Sequence, residues 1–145
     1  MNRSIYMKII AVLVMVLLCT SCGKDTSLQT LETAISAAAE EAARLEESLQ
    51  DEMLTQLEMN ETAGAIYAVW DDALNTAWEI LQETLDDETM TQLEAEQEEW
   101  IAQREDAVQA AGTEVAGGSM YALAVNLKAA EITQERVYEL VEYLQ

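Results

Sequence analysis

Residues 93–140, LEAEQEEWIAQREDAVQAAGTEVAGGSMYALAVNLKAAEITQERVYEL, hold two helical runs separated by a Gly-Gly-Ser turn, and the rest of the chain can be arranged around them. In the first run Gln97, Trp100, Ile101 and Arg104 fall at steps of three and four, which places them on one side of a helix. Thr133, Arg136 and Leu140 do the same in the second. Leu93 and Val108 extend the apolar stripe of the first run, and Leu123, Leu127, Ala130, Val137, Val141 and Leu144 supply that of the second. Two helices that each carry an apolar stripe need further helices to cover them.

Those partners lie upstream. Ala63, Ile66, Trp70, Ala73, Ala77, Leu81 and Leu85 share one side of a helix predicted over 54–85. Before it, Leu28, Leu31, Ile35, Ala38, Ala42, Leu45 and Leu49 alternate steps of three and four, the seam of a coiled-coil-like helix that Thr26 or Ser27 could cap. The alanines in this seam admit a close partner, either within the molecule or from a second copy. Asp86, Asp87 and Glu88 suit the positively polarised start of the third helix, and Gly112 can end it. Gly117 and Gly118 let the backbone reverse, and Ser119 is placed to cap the last helix. The expected fold is all-α: about four helices in antiparallel hairpins over residues 28–145.

The N-terminus is of a different kind. Arg3 and Lys8 precede an apolar run from Ile9 to Leu18, shorter than the roughly 20 helical residues that a bilayer core of about 30 Å requires. It reads as a secretory signal over 1–21. Thr20 and Ser21 are small residues just before Cys22, as in a bacterial lipobox, although Cys19 stands where that motif usually has Leu. Cys22 is therefore the expected lipid-attachment residue, and 22–27 would be a short polar tether to the extracytoplasmic face of a cell membrane. The competing reading is an ordinary cleaved signal followed by a spare thiol.

Composition narrows the functions further. With 28 acidic and 7 basic residues the formal charge is −21, so nucleic acid is not an expected partner and a cationic protein is the natural complement. Loss of residues 1–21 would remove Arg3 and Lys8 but no acid, and make the excess larger. The absence of histidine excludes Ser-His and Cys-His catalysis and the commonest zinc ligand. No D-x-D-x-D-G loop accompanies the acids at 86–88, and the Gly-Gly-Ser turn lacks the lysine of a phosphate loop. No cofactor or metal is expected, and no nucleophile, base and orienting group assemble, so the chain is read as a non-enzyme.

Several short motifs occur in order: MNET at 59–62, DDALN at 71–75 with Asp72 and Asn75 on one helix face, Leu93-x-x-x-Gln97-x-x-Trp100-Ile101-x-x-Arg104, Gly117-Gly118-Ser119, and Thr133-x-x-Arg136-x-x-Glu139-Leu140. Together they resemble the N-terminal domain of LprI-type lysozyme inhibitors, over about residues 56–144. The resemblance implies a small, secreted, often lipid-anchored helical module that binds lysozyme. This sequence departs from the family where paired cysteines are usual, with Thr62 and Val108 in their places, and no disulfide is expected. A bridge is ordinarily worth about 2–4 kcal/mol, so packing must replace it.

The motif residues Asp72, Asn75, Gln97, Trp100, Arg104, Gly117, Gly118, Ser119, Thr133 and Arg136 are expected to act structurally. Asp72 should face Arg104 or Arg136, with Gln97, Asn75 and Thr133 nearby, because buried polar groups need partners. Trp100 is expected in the core, with an exposed contact for a partner as the alternative. For the loop from Gly112 to Met120 the alternative to a plain turn is a protruding target contact. Two functions follow: an exported, lipid-anchored acidic binding protein that inhibits lysozyme, or a structural envelope lipoprotein that associates through its first helix.

Overall fold

The computed structural model gives the backbone from Arg3 and describes side chains over residues 23–145. The expected signal sequence and Cys22 lie outside the described side chains. Four helices follow in order, α1 (Arg3–Ser48), α2 (Gln56–Thr84), α3 (Asp87–Glu114) and α4 (Tyr121–Val141), with a short 3-10 turn at Glu142–Leu144. They pack on one another as an all-α bundle.

The heptad-like seam of α1 is spent inside the molecule. Leu31, Ile35 and Ala42 are buried, and Leu28, Ala38, Leu45 and Leu49 lie partly buried against the same core. Residues 23–27, expected as a tether, are helical and continuous with α1. Ser27 is therefore no cap; its hydroxyl shares a 3.2 Å hydrogen bond with that of Thr84 on α2.

α2 is the hub, packing on α1 along one side and on α4 along another. Its start is fixed locally: the Thr55 hydroxyl accepts from the Glu58 amide while the Glu58 carboxylate accepts from the Thr55 amide, a capping box. The Thr55 hydroxyl also donates to the Glu58 carboxylate at 2.6 Å, and this bond first and that from the Thr55 amide second hold the Glu58 carboxyl below its ordinary pKa. The predicted stripe is the one that is buried, with Ala63, Ala77 and Leu81 wholly enclosed and Trp70 and Ile66 only 1% exposed. Small residues between the large ones bring neighbouring helices close, and Trp70 supplies the largest apolar surface, its ring 5.9 Å from that of Tyr138.

α3 is attached differently. Asp86 caps it by accepting from the Thr89 amide, which lowers the Asp86 carboxyl pKa. Only Leu93 and Gly112 are buried along its 28 residues, and it packs mainly on α4. Gly112 does not end the helix, which runs on to Glu114. It is needed for close approach instead: a Cβ there would lie 2.7 Å from the Tyr121 ring and 3.0 Å from Val125.

The turn that follows places Gly117 at φ +76°, a left-handed conformation that glycine adopts without strain. Ser119 does not cap α4, whose first residues have no side-chain cap. It ties the turn to α2: its hydroxyl donates to Gln56 Oε1 and its carbonyl accepts from Asn60, both at 3.5 Å. The Gly112–Met120 segment is thereby held against the start of α2.

Candidate functional site

The polar residues singled out in the sequence gather in part where α3 crosses α4. Arg136 projects from α4 and is 7% exposed. Its Nε donates to Gln97 Oε1 on α3 at 3.0 Å, and its Nη1 donates to Glu139 Oε2 at 2.9 Å. Thr133, one turn earlier, is fully buried. Two polar atoms of this cluster, Arg136 Nη2 and Thr133 Oγ1, have no hydrogen-bond partner among the described residues. Such an unmet group costs about 1–3 kcal/mol, so the cluster is stabilised by its packing as much as by its bonds.

Trp100 lies between the two arginines. It is half-buried at the edge of the core, with the Arg104 guanidinium 4.8 Å and the Arg136 guanidinium 6.0 Å from its ring. Both lie within the range where an aromatic face attracts a cation. Trp100 thus covers the core rim and supports two of the five cations after residue 22.

Arg104 meets Asp71, at 3.7 Å, and not Asp72. Tyr67 donates to the same Asp71 carboxylate at 3.3 Å. The Tyr67 phenol pKa is raised, by burial above all and further by Asp71, while Arg104 opposes the shift. Asp72, one residue on, is turned about 100° around the helix axis and is exposed beside Ala34 and Ala38 of α1. Asn75 is exposed as well. The expected cluster is corrected accordingly: Gln97, Trp100, Arg104, Thr133 and Arg136 come together, Asp71 replaces Asp72, and Asn75 stays outside. Tyr67, Asp71 and Glu139 were not anticipated, although Glu139 is three residues from Arg136 and within reach on the same helix face.

One residue before Gln97 on α3, Glu96 accepts from the Tyr143 phenol at 2.6 Å, which raises the phenol pKa through that bond first and burial second. Among the described residues no group of three acidic side chains converges as metal ligands would. The arrangement is chemistry for setting helix register in a protein with few cations. Next to it, between α2 and α3, lies an open groove of about 370 Å³ lined by Asn75, Gln97 and neighbouring apolar and acidic side chains.

The family model described as lysozyme inhibitor LprI matches residues 47–140, well over half of the chain. The chain belongs to the LprI family. The match takes in all of α2 and α3 and nearly all of α4, together with every motif residue from Asp72 to Arg136. Neither the comparison with curated proteins nor that with solved structures finds a match.

If Arg136 acts mainly through packing, replacing it by an apolar residue of similar length should be tolerated. Arg136→Met is expected to stay within about 1 kcal/mol of the parent, or to be more stable, because an incompletely bonded buried cation is removed. Arg136→Ala should lose about 2 kcal/mol, because it leaves a void beside Trp100. Denaturant unfolding of both variants checks this, and equal losses would show that the charge, not the volume, is what the site requires.

Proposed function

We propose that this chain is an exported, lipid-anchored binding protein that captures a cationic lysozyme-type protein and inhibits it. Family membership carries the reading, since the family is described by lysozyme inhibition. The charge distribution supports it. Four ion pairs, Arg44–Glu41, Arg104–Asp71, Lys128–Glu131 and Arg136–Glu139, engage four of the 28 acids, which leaves most carboxylates without a cation among the described residues. Unpaired surface carboxylates set up an attractive field for a basic protein, one that weakens as salt shortens its range.

The seam of α1 bears on the alternative, an envelope protein that self-associates through this helix. Leu28 to Leu49 are already packed against α2 and α4, so the surface required for that role is occupied. No specific observation favours it.

Anchoring would place the acidic domain where an exported lysozyme acts. The reading rests on the lipobox-like Cys19-Thr20-Ser21-Cys22, with lipid on Cys22. Mass spectrometry of protein extracted from its own membranes should find residues 1–21 removed and a diacylglyceryl group on Cys22; an intact leader with a free thiol would exclude the anchor.

Inhibition is tested with the purified protein, lysozyme and a suspension of purified cell walls. Clearing of the suspension should slow, and the inhibition should weaken as ionic strength rises from about 0.01 to 0.15 M, over which the screening length falls from about 30 to 8 Å. A clearing rate unchanged at high micromolar protein would end the inhibitor reading.

A further inference from the structure

The groove between α2 and α3 combines apolar walls with a polar, acidic rim. Leu74 forms part of its floor and is 6% exposed; Trp78 is half-buried beside it, and Ile101, 38% exposed, closes the α3 side. Asn75 and Gln97 contribute amides, and the Asn75 side chain makes no hydrogen bond within the described residues. Glu94 and Glu98 stand on the rim, both exposed, one helical turn apart on α3.

Two carboxylates at i and i+4 repel each other by a few tenths of a kcal/mol when no cation lies between them. Neither Glu94 nor Glu98 is in an ion pair among the described residues. Arg136, which is bonded to Gln97 of the groove wall, gives its other bond to Glu139. Among the described residues, no cation is therefore paired with the two carboxylates on this rim. Its volume, about 370 Å³, lies at the lower end of the roughly 300–1,000 Å³ usual for small-ligand pockets.

We propose that this groove receives an arginine side chain from the surface of a cationic partner protein, with the guanidinium between Glu94 and Glu98. Arginine fits better than lysine because its planar head can stack on an indole while forking to carboxylates, and its methylene stem is apolar like the floor. The two glutamates supply charge complementarity, Trp78 and Ile101 flank the stem, and Asn75 adds a hydrogen-bonding group at the edge. This rests on the reading that the partner is basic, and it specifies which surface of the acidic bundle makes the contact.

The test uses the full chain in nonionic detergent micelles, titrated at low salt with acetylated tri-arginine amide. The chain has three tryptophans, and nuclear magnetic resonance reads their indole N–H signals separately. The Trp78 signal should move on titration while that of the buried Trp70 stays. Glu94→Gln with Glu98→Gln should weaken binding about tenfold, the scale of losing charge-assisted bonds at a solvent-exposed rim. Glu46→Gln with Glu47→Gln removes the same charge from exposed positions on α1 and should change binding less than about twofold if the groove, not the overall field, holds the peptide. All four substitutions exchange exposed carboxylates for amides of similar shape, so the core is untouched.

Equal weakening by the two pairs, or a Trp78 signal that stays still while the peptide binds, would overturn the proposal. The same variants in the cell-wall clearing assay separate it from the inhibitor reading. Groove binding by a protein that never slows lysozyme keeps the groove and removes the inhibitor reading. Full inhibition retained by the Glu94/Glu98 variant keeps the inhibitor reading and removes the groove.

Discussion

Apolar contact between α2 and its two neighbours has to hold this molecule together against its own charge. The chain carries a formal charge of −21, its two cysteines both precede Gly23, and two of the four ion pairs among the described residues lie at the surface. Exposed pairs contribute about 0–1 kcal/mol each, whereas a fully buried Leu, Ile or Val side chain contributes about 1.5–3 kcal/mol. The enclosed side chains of Leu31, Ile66, Trp70, Leu81, Val137 and Leu140 are consequently the main source of stability. No cysteine follows Cys22, so the connection of α3 to its neighbours is left to packing and to the polar cluster.

Several features follow from that division. α1, α2 and α4 share the core, whereas α3 contributes one enclosed side chain, Leu93, and carries nine acids against the single Arg104. A helix of this composition gains little from burying more of itself, because its carboxylates would have to leave water. It remains at the periphery, fixed by Leu93, by the close approach at Gly112 and by the Gln97–Arg136 and Glu96–Tyr143 bonds. The arginines are placed where α3 most needs attachment. What the chain then presents to its surroundings is an acidic helix with a groove along one edge, which is the form a partner rich in positive charge would meet.

The helices and the buried stripe of α2 were legible from periodicity, because apolar side chains at steps of three and four have one physical explanation in a chain without proline. The α1 seam was legible too, although its partner was not; periodicity shows that a face is covered without saying by what. Details that depend on neighbours escaped. Asp71 and Asp72 are adjacent in sequence, and only the rotation of α2 relative to α3 decides which reaches Arg104. Gly112 looked like a helix end because glycine often is one, whereas the Tyr121 ring that excludes a side chain there comes from the next helix. Ser119 had the chemistry of a cap, yet Gln56 and Asn60 on a distant helix engage it first. The groove joins Leu74 and Asn75 with Gln97 and Ile101, residues whose motifs were visible but whose meeting was not.

Hydrogen exchange followed by mass spectrometry tests the division between core and periphery most directly, because it reads the opening free energy of each helix within one molecule. Amides of α2, of α4 and of α1 from Leu28 onward should be the slowest and should exchange together, and α3 beyond its Leu93 turn should exchange well before them. An α3 as protected as α2 along its length, or an α1 that exchanges first, would contradict the account.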